Sequence, residues 1–238
     1  MGRAYEVRKA SIQKTGAIKA KLYSMYAKEI YLAAKNGGVE IDSNISLKRI
    51  VDKAKKDQVP SDIIKRAIDK VSNGVDESYE SVRYELFGPG GSTLIVDCLT
   101  DNVNRSVSNI RAALNKTNSK LGVSGSVGYM YDNLSIVGFK YSNEEEVLEA
   151  LIEEGIEIID IELDDDNVII YGSPTDLYAI KETIYKKFNI TNFEIEEISM
   201  LPKDKINLDG ENLEDFTKLL SMLDDIEDVS QVYHNVNL

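Results

Sequence analysis

The apolar residues of this 238-residue chain change their spacing once, near residue 79, and that change limits the folds open to it. Before it they recur at helical spacing. Between residues 17 and 34, Tyr23, Tyr26, Ala27, Ile30 and Ala34 follow the i, i+3, i+4, i+7 pattern of one helix face. Asn36-Gly37-Gly38 supplies the stop, because glycine tolerates the left-handed conformation that closes a helix. A second helix starts at the Ser43-Asn44 cap and buries Leu47, Ile50, Val51 and Ala54. A third begins after Pro60, with Ser61 or Asp62 near its first turn, and buries Ile64, Ala67, Ile68 and Val71. Three amphipathic helices of this length predict a small bundle.

After residue 79 short β-type runs alternate with helices. Residues 82–87 and 93–99 read as strands joined by the turn-forming Gly88-Pro-Gly-Gly91. A helix over 103–117 buries Val107, Ile110, Ala113 and Leu114, and a glycine-punctuated stretch over 121–128 leads to a strand at 129–131, giving ββαβ. Strands at 134–141, 156–162, 168–171 and 193–199, with helices at 144–154 and 175–188, make a complete βαββαβ unit. Asp164-Asp-Asp-Asn167 is its hairpin turn, and Pro174 opens its second helix. The helix at 213–223 and the strand at 229–236 then lack a partner of their own. The economical topology returns them to complete the ββαβ unit, with the βαββαβ unit inserted between its halves. The predicted class is α+β: an N-terminal three-helix domain plus two interleaved ferredoxin-like (βαββαβ-type) α/β sandwich domains. The expected boundaries are 1–76, 77–132 plus 202–238, and 133–201, with the polar run Ser72-Asn-Gly-Val-Asp-Glu-Ser78 as linker.

Charge follows the same division. The whole chain carries 28 Lys or Arg against 41 Asp or Glu, a net of −13, which argues against a protein that coats DNA nonspecifically. Residues 1–74 alone hold 16 cations and 8 acids, a net of +8, and the remainder carries −21. A basic module on an acidic body is the natural reading. Lys14, Lys21, Lys28 and Lys35 are spaced by seven, so on a helix they drift only about 20° per step and form a stripe fit to track a phosphate backbone. Lys48, Arg49, Lys55 and Lys56 on the second helix and Lys65, Arg66 and Lys70 on the third add to the field, while Arg3, Arg8 and Lys9 make a basic leading arm. About six neutralised phosphates would give a salt slope near −5. Tyr23, Tyr26 and Tyr31 could stack on bases, but the first two lie on the apolar face and read as core.

Site chemistry is sparse. One cysteine, Cys98, and one histidine, His234, leave no internal disulfide, multi-thiolate zinc site or His pair for a catalytic metal. Gly88-Pro-Gly-Gly91 lacks the GK[ST] ending of a phosphate loop and precedes a strand. Asp97 and Asp101 have no nucleophile or histidine nearby in sequence, and Asp164-Asp165-Asp166 lacks the distal Glu of a calcium loop. No catalytic residue, cofactor, metal or small-molecule substrate is expected. The run Thr100, Asp101, Asn102, Asn104 and Arg105 is different, because it gathers polar groups at a strand-to-helix junction. Capping explains it in part, and a partner or ligand loop is the added reading. No stretch approaches the roughly 18 apolar residues of a membrane span, and neither an apolar leader nor a myristoylation signal is evident, so a cytoplasmic protein without membrane contact is expected.

Ala33-Ala-Lys-Asn-Gly-Gly38, Tyr84-Glu-Leu-Phe-Gly-Pro-Gly-Gly91, Cys98-Leu-Thr-Asp-Asn-Val-Asn-Arg105, Leu121-Gly122 with Gly125-Ser-Val-Gly-Tyr-Met130, and Val232-Tyr-His-Asn235 together resemble the YebC/PmpR family, in order and over essentially the whole chain. The short Arg-containing start and the Val-Tyr-His-Asn ending look closer to its YeeN-like branch. That family includes the mitochondrial translational activator of cytochrome oxidase subunit I. Its fold, a helical domain followed by two interleaved α/β domains, matches the residue-level reading. The resemblance implies a non-enzymatic regulator of gene expression whose partner is nucleic acid: a DNA-binding transcriptional regulator, with a ribosome-associated, rRNA-binding translation factor as the alternative. The arm departs from the family, which usually opens with a His-Ser-Lys-Trp-Ala-Asn-Ile-Lys-His-Arg-Lys type segment. Here Arg3-Ala-Tyr-Glu-Val-Arg-Lys-Ala-Ser11 has no Trp and carries an acid at Glu6.

Overall fold

The structure is a computed structural model and describes residues 17–238. Among the described residues there are seven α-helices and eight strands. Helices α1 (Ala17–Gly37), α2 (Ile45–Lys56) and α3 (Ser61–Ser72) come first. Strands β1 (Glu80–Phe87) and β2 (Thr93–Thr100), helix α4 (Val103–Leu114) and the two-residue strand β3 (Lys120–Leu121) follow. Then come β4 (Tyr131–Lys140), α5 (Glu144–Glu153), β5 (Ile158–Asp164), β6 (Asn167–Gly172), α6 (Leu177–Phe188) and β7 (Ile195–Pro202). The chain closes with α7 (Gly210–Asp224) and β8 (Val229–His234).

The three helices share one core of Tyr26, Ile30, Ala34, Leu47, Val51, Ala54, Ile64 and Ala67, with Ile50, Ile68 and Val71 at its margin. These are the positions that the helical spacing selects. Asn44 sets the α1–α2 corner. Its side chain accepts from the Leu47 N–H at 3.0 Å as N-cap, and its amide donates to the carbonyls of Ala33 at 2.8 Å and Gly38 at 2.7 Å. That approach explains the paired glycines: a Cβ on Gly37 would lie 2.6 Å from the Asn44 amide nitrogen, and Gly38 sits at φ +93°. Tyr26 donates to Asp57, and Tyr31 donates to the Val75 carbonyl at 2.8 Å while accepting from the Glu77 N–H at 2.8 Å. Both rings are 1 % exposed, so neither offers a face for base stacking.

Two four-stranded antiparallel sheets follow. In one the order is β3-β1-β2-β8, and the C-terminal strand pairs with β2 from Leu94↔His234 to Cys98↔Val229, with a bulge at Asp97/Cys98. Tyr84, Leu86, Leu94, Val96 and Cys98 on its strands pack against Ile110 and Leu114 of α4 and Phe216, Leu219 and Leu223 of α7. In the other sheet the order is β5-β6-β4-β7, the arrangement of a βαββαβ sandwich. Val137, Phe139, Val168 and Ile170 meet Val147 and Leu151 of α5 and Leu177, Ile180 and Ile184 of α6. The fold is therefore α+β with an inserted sandwich.

One strand differs from its sequence reading. The stretch read as a strand at 129–131 is a 3-10 turn over Gly128–Met130, Tyr131 opens β4, and the edge of the first sheet is the short β3. Carboxylate chemistry explains the glycines before it. Glu85, on β1 and 8 % exposed, accepts from the backbone N–H groups of Gly125 at 2.6 Å, Val127 at 2.5 Å and Gly128 at 2.8 Å. The loop is bent to present three donors to one buried charge rather than to extend a ladder. By contact the described chain forms two compact units: the residues up to Gly128 with Ile206–Val236, and Tyr129–Lys205 with Asn237–Leu238. The three helices belong to the same unit as the first sheet.

Candidate nucleic-acid interface

The cations of the helical module divide into two sets. Lys21, Lys28 and Lys35 share one face of α1, as their spacing predicts, and each meets a carboxylate of its own unit. Lys21 Nζ donates to the Asp224 carbonyl oxygen at 2.5 Å and lies 3.7 Å from its carboxylate, at the end of α7. Burial pulls the Lys21 pKa down, against the raising pull of Asp224 and Asp225. Lys28 Nζ lies 3.5 Å from Asp228 Oδ1 and 3.4 Å from the Leu99 carbonyl, with its side chain 12 % exposed. Lys35 Nζ donates to Asp76 Oδ1 at 2.6 Å and to the Glu77 carbonyl at 3.3 Å, but this pair is exposed, so of the stripe only Lys21 and Lys28 are turned inward.

The second set points outward. Lys48 and Lys55 on α2 and Arg66 on α3 have side chains 53 %, 66 % and 73 % exposed, and Lys65 is exposed beside Arg66. Their partners are surface acids on the same module: Asp42 at 3.8 Å, Asp52 at 3.9 Å and Asp62 respectively. Exposed pairs of this kind contribute about 0–1 kcal/mol, so a phosphate exchanges with them readily. Lys70 donates to Glu77 at 2.7 Å. Arg3, Arg8, Lys9 and Lys14 lie outside the described residues.

The polar run after β2 is a knot around one acid. Asp228, 2 % exposed, accepts from Arg105 Nε at 3.0 Å, Arg105 Nη2 at 2.7 Å and Ser106 Oγ at 2.9 Å, with Lys28 beside it. Burial alone would raise the Asp228 pKa; the hydrogen bonds from Arg105 and Ser106, with the charges of Arg105 and Lys28, outweigh it and hold the carboxyl below its ordinary value. Arg105 also reaches Asp101 at 2.7 Å and Thr100 Oγ1 at 3.4 Å. Asn102 caps α4 by accepting from the Arg105 N–H at 3.0 Å, and Thr100 Oγ1 accepts from the Asn102 N–H at 3.0 Å. Asn104 is exposed on the first turn of α4. These residues join strand, helix and basic module to each other.

Sequence reasoning missed Asp76, Asp224 and Asp228 as partners of the lysine stripe. The signal was the acid-rich Asp224-Asp-Ile-Glu-Asp228 immediately before the last strand, together with Asp76-Glu77 in the linker. Among the described residues no cluster of His, Cys, Asp and Glu could hold a metal ion. No described helix is long and apolar enough to cross a membrane.

The class so defined is a basic three-helix module ion-paired to an antiparallel α/β sandwich, with a second sandwich inserted in the chain. A family model described as "TACO1/YebC protein N-terminal domain" matches residues 3–74, and one described as "TACO1/YebC second and third domain" matches residues 79–236. The chain belongs to the TACO1/YebC family. It is 47% identical over 238 residues to a Vibrio vulnificus (strain YJ016) protein, covering 100% of both chains, and 44% identical over 235 residues to an Alteromonas mediterranea protein, covering 99% of this chain and 98% of the relative. Both relatives are called "Probable transcriptional regulatory protein". A crystal structure of a conserved hypothetical protein from Aquifex aeolicus superposes with a TM-score of 0.76 at 34% identity, over 94% of this chain and 92% of that one.

Proposed function

We propose that this chain is a non-enzymatic, nucleic-acid-binding regulator of gene expression, a DNA-binding transcriptional regulator of the YebC type. It docks through the outward cations of α2 and α3. The observation that carries this reading is the exposed group Lys48, Lys55, Lys65 and Arg66, in which the carboxylate partners of Lys48, Lys55 and Arg66 make only weak surface pairs. The names of the relatives agree with it. In this reading residues 1–76 are the binding domain, while 77–132 with 202–238 and 133–201 are the acidic body. Lys21 and Lys28, largely covered, reach phosphate only by leaving Asp224 and Asp228, whereas Lys35 sits in an exposed pair with Asp76 that a phosphate displaces as it does the outward ones; the 100–105 run serves a partner only at positions such as Asn104 that point outward.

Four neutralised phosphates give a slope of about −3.6 in the logarithm of affinity against the logarithm of salt. Fluorescence anisotropy of the full chain on a labelled duplex, repeated from low to physiological salt, measures it. A flat titration removes the cationic interface.

The −21 carried by residues beyond 74 favours a second reading, ribosomal RNA, because an acidic body is repelled by long duplex while a basic head enters a folded-RNA cleft. Low-salt sedimentation of a lysate decides between the two. Co-migration with ribosomal particles that survives DNase but not RNase selects RNA; absence from the particles with retention on DNA selects the first reading.

A further inference from the structure

Between α1 and α3 lies a cleft of about 260 Å³, closed at one end by the segment that leads into β1. Its floor is apolar, formed by Ala27, Ile63 and Ala67. Lys28, Arg66 and Lys70 stand around it, and Glu77 and Tyr79 complete its wall. Tyr79 is held in place: the Tyr31 ring meets it edge-on at 5.7 Å and 81°, and Lys28 Nζ sits 5.9 Å from its centroid. A purely ionic ligand has no use for the floor or the ring. A purely apolar ligand gains nothing from three cations.

We propose that this cleft receives one unstacked nucleotide of a single-stranded nucleic acid, with its base against Tyr79 and the apolar floor and its phosphate at Arg66 and Lys70. The volume suits one base with its sugar. Arg66 and Lys70 are tied only to Asp62 and Glu77, in exposed or half-exposed pairs that a phosphate displaces at little cost. Releasing Glu77 leaves a carboxylate in the wall that accepts from a base amine or imide N–H, so the cleft also has a means of preferring one base. A duplex cannot use the cleft, because its bases present no free face, whereas a loop or single strand splays them out. The proposal deepens the nucleic-acid reading above and rests on it.

The test compares the full chain on a labelled single-stranded 12-mer and on a blunt duplex of the same sequence, using wild type, Tyr79→Ala, Tyr79→Phe and Arg66→Ala. Single-strand affinity is expected to fall about tenfold or more in Tyr79→Ala, to stay within about twofold in Tyr79→Phe, and to fall severalfold in Arg66→Ala, while Tyr79→Ala leaves duplex affinity unchanged. If Tyr79→Ala is unfolded by circular dichroism, a strand carrying one 2-aminopurine decides instead. Its emission should be quenched on saturation with wild type and with Tyr79→Phe, and unquenched emission overturns the cleft. Equal loss on both ligands in Tyr79→Ala, or no single-strand preference in wild type, also overturns it while leaving the cationic interface standing. Absence of binding to either ligand overturns both.

Discussion

Removing the Asp228 carboxylate should loosen the basic module from its sandwich and destabilise the whole unit. In Asp228→Ala the Ser106 hydroxyl loses its shorter acceptor and keeps only the Asn102 carbonyl at 3.2 Å, the Leu99–Asp228 backbone bond at 2.8 Å remains, and Lys28, 12 % exposed, is left 3.4 Å from one carbonyl with no carboxylate. Arg105 is the lesser concern, because half of its side chain reaches water and Asp101 remains beside it. Breaking a buried charge pair by deleting one partner costs about 3–5 kcal/mol, and access of Lys28 to some water places this case near the lower end, about 3 kcal/mol. Urea unfolding followed by far-UV circular dichroism measures it as a shift in midpoint. Lys28→Met should recover part of the loss when combined with Asp228→Ala, because it removes the stranded charge, giving a coupling of about 1–2 kcal/mol. A loss below about 1 kcal/mol with no coupling would refute the view that Lys28 and Asp228 form an internal clasp.

Other consequences can be checked on the same protein. Asn44→Ala leaves the Ala33 and Gly38 carbonyls and the Leu47 N–H without their side-chain partner, so it should cost about 2 kcal/mol in urea unfolding; an effect below 0.5 kcal/mol would mean that water replaces the amide. Burial would raise the Glu85 pKa, but hydrogen bonds from Gly125, Val127 and Gly128 hold it down, and Asp228 is likewise held below its ordinary value. Both groups therefore lend stability that is complete above their unfolded values of 4.5 and 3.8 and is lost as pH falls through the lower folded ones. Glu85→Gln should flatten part of that acid limb, and an identical limb in the variant would remove Glu85 from the account. The Cys98 thiol, 2 % exposed, is pushed up to about 12 mainly by burial, so a thiol reagent at pH 8 should label it only on unfolding; rapid native labelling would contradict the packing.

Periodicity made most of the fold legible, because it reports burial directly. Leu47, Val51 and Ala54, or Ile64 and Ala67, could face nothing but a core, and the unpartnered αβ tail had one sheet left to join. The lysine stripe shows where such reasoning ends. Seven-residue spacing places Lys21, Lys28 and Lys35 on one side of α1, yet it carries no information on whether that side meets water or acid. The answer came from Asp224 and Asp228, some 200 residues away, brought close by the return of the chain to β2. The glycines of 122–128 were legible as a loop but not as a carboxylate cradle, since backbone N–H groups leave no mark in the sequence. Tyr31 resembled a stacking residue and is instead the bolt for the linker, a role that depends on where Val75 and Glu77 pass.

In the proposed interface the inward and outward cations divide the labour. Salt titrations of binding, set beside urea unfolding, test it most directly on two full-length variants: Lys48→Glu, Lys55→Glu, Lys65→Glu, Arg66→Glu together, and Lys21→Met, Lys28→Met together. The first variant should keep its stability and lose most of its salt-dependent affinity, with the slope moving from about −3.6 toward zero. The second should lose stability while any binding it retains keeps the wild-type slope. The reverse pattern, in which the outward quadruple variant binds as wild type and the inward pair alone sets the slope, would contradict it.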